Sequence, residues 1–147
     1  MKNILYTLLL TYSFVSSMNY TPKKHIDPET ITIEKKEQDI WALARNGFFP
    51  QELVGILRMG GPFSCHIDSF HIYRGICNKD DIRYALFETL IEQCKFQSKI
   101  TGTLWQKEKN GPTSTIKFLK KIGAKITCPN LYRCDFTYEI PVSKNND

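Results

Sequence analysis

The sequence predicts an α/β fold in which a mixed, mostly antiparallel central sheet is flanked by helices, and two residue patterns carry this prediction. From Tyr132 to Ile140 apolar and polar residues alternate strictly, which is the period of a strand with one buried face. From Ile82 to Cys94 apolar residues recur at the spacing of one helix face. Because strand and helix patterns follow one another along the chain, both element types belong to one domain.

Length and composition are those of an ordinary globular domain. The chain has 147 residues, which is enough for one domain with its own core. With 41% hydrophobic and 24% charged residues, it falls in the usual globular range. The formal net charge is +5, but Lys and Arg are spread along the chain. This distribution argues against a nucleic-acid partner.

The N-terminus differs in composition from the rest of the chain. Lys2 precedes an apolar run from Ile4 to Val15, and Ser16 and Ser17 follow it. This is the order of regions in a secretory signal peptide, which we predict over residues 1–17 with cleavage before Met18. The run is short for a membrane span, so no stable span is expected after cleavage. An uncleaved anchor and a buried strand are the alternatives.

Cleavage would make the protein secreted or periplasmic, and an uncleaved chain would be cytoplasmic. After the predicted signal peptide, residues 18–29 are polar and contain two prolines, which is typical of an N-terminal arm. A single domain is predicted over residues 30–142, and residues 143–147 form a loose tail.

In the first half of the domain, "TITIEKK" at residues 30–36 alternates like a short strand. A helix is predicted next, because Ile40, Leu43 and Ala44 have helical spacing and Gly47 offers a stop. Residues 52–59 fit a helix or a strand, and the turn-forming "GGP" after them favours the strand.

The next run, residues 63–73, changes its buried face, which predicts a β-bulge near Asp68 and Ser69. A helix follows from Asp80 to about Lys95, and then a strand from Ile100 to Gln106. A last helix ends at Gly123 as its C-cap. The predicted order is therefore β-α-β-β-α-β-α-β-β.

The five cysteines match no zinc pattern, because no two of them are spaced as CxxC. An odd number leaves at least one thiol free in a monomer. Cys128 and Cys134 are placed to bridge across a turn if the protein is exported. Cys94 and Cys134 lie on apolar faces of their elements, so buried thiols are predicted for those two.

Several segments resemble the GCN5-related N-acetyltransferase (GNAT) superfamily, whose members transfer an acetyl group from acetyl-CoA. "TITIEKKEQDIWALA" is similar to the family's first strand and helix, and "LVGILRMGGPFSCHIDSFHI" is similar to its third and fourth strands, including the bulge. "ALFETLIEQC" is similar to the central helix, and "NGPTSTIKFLKKIGAKI" to the segment around the last one. The resemblance covers roughly residues 30–140.

The resemblance implies acetyl-CoA as co-substrate and an amine of a small molecule or protein as acceptor. Ile72 and Tyr73 would pair with the pantetheine arm of the cofactor. Asn78, Lys79 and Arg83 would face its pyrophosphate, and Asn110 is a further polar position of the family's site. Asp68 or His71 would take the proton of the amine.

Two departures from the family pattern bear on activity. The family's phosphate loop carries glycines, whereas this chain has Asp81 and Arg83 at the aligned positions and Asp80 beside them. The aspartates stabilise a helix N-terminus but put negative charge where a diphosphate would lie. A well-capped helix without a ligand is the alternative interpretation. Leu119 stands where many family members have a tyrosine that protonates the departing thiolate, and its place in the apolar stripe predicts that it belongs to the core.

Each candidate polar residue also has a plain structural interpretation. A residue such as Asp68 commonly forms hydrogen bonds to the irregular backbone of a bulge. Asn110 with Gly111 forms an ordinary turn motif. His66, Asp68 and His71 do not share one face of a regular strand, so no metal site is predicted.

Three functions therefore remain open on sequence. The first is an acetyl-CoA-dependent N-acetyltransferase-like protein, with catalysis intact, weakened or lost. The second is an exported binding or effector protein that keeps the acetyltransferase fold without catalysis. The third is an unrelated small secreted α/β protein held by disulfides. The sequence carries no signal for the acceptor or the oligomeric state.

Overall fold

A computed structural model of the protein describes residues 23–45, 50–61, 64–73, 75–105 and 113–141. Seven strands form one sheet in the order β1-β2-β3-β4-β5-β7-β6. The strands are β1 (Ile31–Lys36), β2 (Asp39–Ala44), β3 (Glu52–Met59), β4 (His66–Ile72), β5 (Lys99–Trp105), β6 (Lys125–Thr127) and β7 (Arg133–Glu139). The helices are α1 (Lys79–Gln93) and α2 (Ser114–Lys121), and a short 3-10 turn covers Pro28–Thr30.

The sheet is mixed and mostly antiparallel, as predicted. Every neighbouring pair of strands is antiparallel except β4 and β5. Those two are joined by α1, because parallel strands need a crossover connection. The crossover helix α1 packs over strands β1 to β4.

Both described helices pack on the same face of the sheet. Phe87 of α1 and Phe118 of α2 have ring centroids 6.3 Å apart. Phe70 of β4 contacts both rings, at 6.5 Å and 6.0 Å. Aromatic pairs at such distances contribute beyond the area they bury. The prediction of flanking helices is thus met on one face by the part of the chain that the structure describes.

The prediction of a helix after the first strand is wrong. Residues 39–44 form β2, which pairs with β1 from Lys36↔Asp39 to Ile31↔Ala44. The turn between them is made by Glu37, with φ 53°, and Gln38. Hairpin turns of this length need positive φ, for which Asn and Gly are the usual signals, and neither is present. The predicted stop, Gly47, lies outside the described residues.

Other predicted elements are confirmed. Residues 52–59 form a strand, and the bulge falls where the alternation breaks, because Arg58 pairs with Ser69 while Met59 pairs with Ile67. Asp68 is the extra residue. Gly123 follows α2 with φ +91°, a conformation that glycine adopts without steric cost.

Two disulfides correct the prediction of buried thiols. Cys94 is bonded to Cys65, and Cys134 is bonded to Cys128 as the turn geometry suggested. Cys94 and Cys134 are indeed buried, but as halves of cystines. Cys77 is left as the free cysteine, and it is exposed.

The predicted signal peptide over residues 1–17 and the tail over residues 143–147 lie outside the described residues. Within the described ranges, no helix is both long and apolar enough to cross a bilayer.

The two disulfides should differ in their contribution to stability. Cys65 and Cys94 are 29 residues apart in sequence, and Cys128 and Cys134 are 6 apart. Chain entropy alone gives about 3.5 kcal/mol for the first bridge and about 2.3 kcal/mol for the second. We expect replacement of the first pair by alanines to lower the free energy of unfolding more, as measured by urea denaturation. An equal loss from the two double variants would contradict this ranking.

Candidate functional site

A cleft opens between β4 and β5 because β4 pairs with β5 only through its first two residues. The register pairs within these fully described strands are His66↔Thr101 and Ile67↔Gly102. On its other side β4 stays bonded to β3, and Tyr73 N–H donates to the Val54 carbonyl. Since alternate residues of a strand bond to the same neighbour, the backbone groups of Phe70 and Ile72 point into the cleft.

The cleft encloses about 720 Å³ and is lined by four elements. Strand β4 contributes Asp68 to Ile72, and β5 contributes Leu104 and Trp105. Lys79 and Arg83 come from the first turns of α1, and residues 113–115 with Lys117 from the start of α2. Both helices therefore present their N-terminal ends, where backbone N–H groups and the helix dipole favour negative charge.

Arg83 joins the two helix ends from inside the protein. It is only 3% exposed, and its guanidinium donates to Asp80 Oδ1 at 2.8 Å and to Ser114 Oγ at 2.7 Å. Its Nε is buried without a hydrogen-bond partner among the described residues. Burial lowers the pKa of Arg83 from its usual value, and the hydrogen bond to Asp80 partly opposes this.

The side chain of Asn78 is committed to the N-terminal arm. Its Oδ1 accepts from Ile26 N–H at 3.0 Å, and its Nδ2 donates to the Ile26 carbonyl at 2.6 Å and to Asp81 Oδ2 at 3.0 Å. Asn78 is the N-cap residue of α1 by position, but its side chain accepts from no backbone N–H of the helix itself. It lines a second cavity of about 490 Å³ beside the cleft.

The charges of the predicted phosphate loop are partly neutralised. Asp80 pairs with Arg83 and lies 3.8 Å from Lys121 Nζ. Asp81 is exposed and accepts only from Asn78 among the described residues. The repulsion expected for an anion therefore comes mainly from Asp81.

The candidate bases lie along the bulged strand. Asp68 and His71 line the cleft and are solvent-exposed. His66 contacts Thr101 Oγ1 through Nδ1 at 2.9 Å, and its Nε2 lies 3.7 Å from Asp68 Oδ1. This places a second titratable group next to the bulge carboxylate. Across the described ranges, no three His, Cys, Asp or Glu side chains are grouped to hold a metal ion.

The carboxylate of Asp135 on β7 is held in its ionised form. The pKa of Asp135 is lowered by its hydrogen bond from Arg133 and, after that, by the one from Thr103. Thr103 donates at 2.8 Å and Arg133 Nε at 3.0 Å. A fixed negative charge therefore lies on β7 close to the side chains of β5.

The structure brings together five of the eight predicted site residues in one cleft: Asp68, His71, Ile72, Lys79 and Arg83. Tyr73 is 39% exposed and packs against the His71 ring at 5.2 Å, but it does not line the cleft. Asn78 lines the second cavity instead, and Asn110 lies outside the described residues.

Two residues at the start of α2, Thr113 and Ser114, line the cleft but were not predicted as site residues. Thr113 Oγ1 accepts from Ile116 N–H at 3.4 Å as an N-cap, and Ser114 holds Arg83. The signal was present, since Thr-Ser-Thr directly precedes an apolar periodic run. Leu119 is fully buried, as the apolar stripe predicted.

No protein-family model matches this sequence, and no curated protein is significantly similar to it. Function is therefore inferred from the residues of the cleft.

Asp80 and Asp81, in the first turn of α1, provide matched variants to test the ion pair between Asp80 and Arg83. Asp80→Ala removes the charged partner of a buried guanidinium, and we expect it to cost about 1–2 kcal/mol, between the values for exposed and buried pairs. Asp81→Ala removes a similar helix-dipole interaction and one exposed hydrogen bond from Asn78 but leaves Arg83 paired, so its cost should stay below about 1 kcal/mol. Urea unfolding measures both. Equal losses would mean that the bridge to Arg83 adds nothing.

Proposed function

We propose that the chain is an acetyl-CoA-dependent N-acetyltransferase-like protein that transfers an acetyl group to an amine of a small molecule or protein. The observation that carries the proposal is the cleft between β4 and β5, where a bulged strand, an open backbone edge and two helix N-termini converge. The resemblance of these segments to the GNAT superfamily is independent of that geometry.

The open edge of β4 suits an extended ligand that carries amides. The backbone groups of Phe70 and Ile72 face the cleft, and β5 has moved away beyond Gly102. A pantetheine arm has two amide groups, so it can add to this edge as a short strand. Main-chain hydrogen bonds of this kind need no particular side chain, which agrees with the mixed lining of the cleft.

The helix end of the cleft is suited to the phosphates. Lys79 lies in the first turn of α1, and no ion pair engages it among the described residues. Arg83 adds a buried positive charge directly behind. Asp81 opposes them, so we infer that the cofactor binds more weakly than it would to a glycine loop.

The chemistry at the other end of the cleft requires a proton acceptor. The amine nitrogen attacks the thioester carbonyl carbon, the carbon–sulfur bond breaks, and coenzyme A leaves as its thiolate. Asp68 or His71 takes the proton of the amine, and both are accessible to an incoming acceptor. Leu119, at the family's acid position, is buried and has no proton to give, so solvent protonates the thiolate.

A second candidate function is an exported binding protein without catalysis. The observation that favours it is the pair of disulfides, since cystines are typical of oxidising compartments. The signal-like N-terminus agrees with export. Acetyl-CoA is made and held inside cells, so such a protein would work by contacts with a partner.

Binding of acetyl-CoA to residues 18–147 tests the first candidate directly by calorimetry. We expect micromolar binding, and Lys79→Ala should weaken it about three- to tenfold because a phosphate contact is lost. Lys95→Ala is the matched control, since Lys95 lies beyond the other end of α1 and lines no part of the cleft. Equal effects of the two variants would contradict binding at the helix N-terminus.

The variant Asp81→Asn separates the two candidates. It removes the exposed charge at the cleft but keeps an acceptor for Asn78. Binding of acetyl-CoA should tighten about two- to fivefold, as expected for one partly screened charge. If the native chain gives no heat and this variant binds, the cofactor site is disabled and the binding protein is favoured. If neither binds, the acetyltransferase proposal fails.

A further inference from the structure

The free cysteine is paired with a histidine from a distant part of the chain. Cys77 Sγ lies 3.5 Å from His25 Nδ1, and both residues are exposed. The other four cysteines are in disulfides, so this is the thiol that remains. A thiol beside an imidazole is the arrangement by which proteins activate cysteine as a nucleophile.

The backbone, rather than chance contact of side chains, holds the pair together. Lys24 N–H donates to the Gly75 carbonyl at 2.6 Å, and Cys77 N–H donates to the Lys24 carbonyl at 3.1 Å. Lys24 and Ile76 form a parallel bridge. The buried side chains of Ile26 and Ile76 fix the same segment on the core. His25 is therefore positioned by the residues on both sides of it.

Cys77 lines the second cavity, whose charges indicate what it admits. Lys23, Lys79 and Arg83 supply three positive charges, and Asp80 and Asp81 supply two negative ones. Asp80 is engaged by Arg83 at 2.8 Å. Lys23 and Lys79 have no ion pair in the described part of the chain. Asp81 also has no ion pair there and offsets one of the two lysines, so a net positive charge remains that favours an anionic molecule. The volume of about 490 Å³ fits a small peptide-sized molecule.

A buried guanidinium lies at the wall of the same cavity. Arg83 is 3% exposed and lines this cavity, yet its Nε has no hydrogen-bond partner among the described residues. Its two terminal nitrogens are engaged by Asp80 and Ser114, so Arg83 contributes a fixed positive charge to the wall of the cavity. An anion in the cavity would be attracted by this positive charge.

We propose that Cys77 and His25 form a thiol–disulfide exchange site for small anionic disulfides. His25 Nδ1, in the tautomer protonated on Nε2, accepts the thiol proton. The Cys77 thiolate then attacks one sulfur of the small disulfide, and a new sulfur–sulfur bond forms as the old one breaks. The departing thiolate takes the proton back from His25, so the products are a mixed disulfide on Cys77 and one small thiol. No other oxidant is consumed.

The proposal is tested with full-length protein, its two disulfides intact, and two small disulfides of opposite charge. Glutathione disulfide is anionic and cystamine is cationic. Mass spectrometry of peptides locates the adduct, and the rate of its appearance is compared at neutral pH. We expect glutathione disulfide to modify Cys77 at least about threefold faster than cystamine does, because the lining carries excess positive charge.

Variants separate the two residues' roles. His25→Ala should slow both reagents about tenfold by removing the proton acceptor, and His25→Gln should not restore the rate. Lys79→Ala should slow glutathione disulfide alone, while Lys95→Ala changes neither rate. Cys77→Ser should abolish the adduct.

Three results would each overturn the proposal. They are equal rates for the two disulfides, an unchanged rate in His25→Ala, and conversion of the protein only to a covalent dimer through Cys77. Circular dichroism of the variants confirms that the fold is kept, and His25→Gln serves as the second variant if His25→Ala fails to fold. Because acetyl-CoA takes no part, the outcome is independent of the proposed acetyltransferase function.

Discussion

The geometry of the site depends on the point at which β4 and β5 stop pairing. At the last shared pair, Ile67↔Gly102, the glycine allows close approach, because a Cβ at residue 102 would lie 2.8 Å from the Ile67 carbonyl oxygen and overlap the ring of Phe136. Beyond that point β4 continues along β3 while β5 follows β7. The two strands part because each remains bonded to its outer neighbour. The bulge at Asp68 lies immediately beyond the contact, so its side chain lies at the base of the cleft.

Arg83 then determines how the helices meet the cleft. A buried guanidinium is costly unless it is paired, and here a carboxylate on its own helix and a hydroxyl on α2 satisfy two of its donor groups. The consequence is that the N-termini of both helices are held on the same side of the cleft. The aromatic cluster of Phe70, Phe87 and Phe118 keeps the helices at that position from within the core. Apolar packing thus fixes the helices, and the buried charge specifies which of their ends faces the opening.

Periodicity predicted most elements because each strand or helix buries one face, and that face repeats in the sequence. It failed at β2, where small and apolar residues are buried on both faces, so Ala42, Leu43 and Ala44 fit a helix and a strand equally. Burial of Arg83 was unpredictable for a different reason. It follows Ile82 on the helix, and only the position of Ser114, 31 residues later, gives it a partner inside. The pairing of Cys65 with Cys94 likewise depends on a contact between the start of β4 and the end of α1, which no local pattern encodes.

That disulfide also joins two of the elements that line the cleft. Cys65 directly precedes β4 and Cys94 directly follows α1, and these two elements supply the open edge, the bulge and one of the helix ends. The disulfide ties the start of β4 to the C-terminal end of α1, whereas the cleft is lined by the N-terminal end of that helix. The free thiol of Cys77 lies at the opposite end of the same helix, where the loop joins the N-terminal arm rather than another cysteine. An oxidising environment would form the disulfide between Cys65 and Cys94 and leave Cys77, beside His25, as the free thiol.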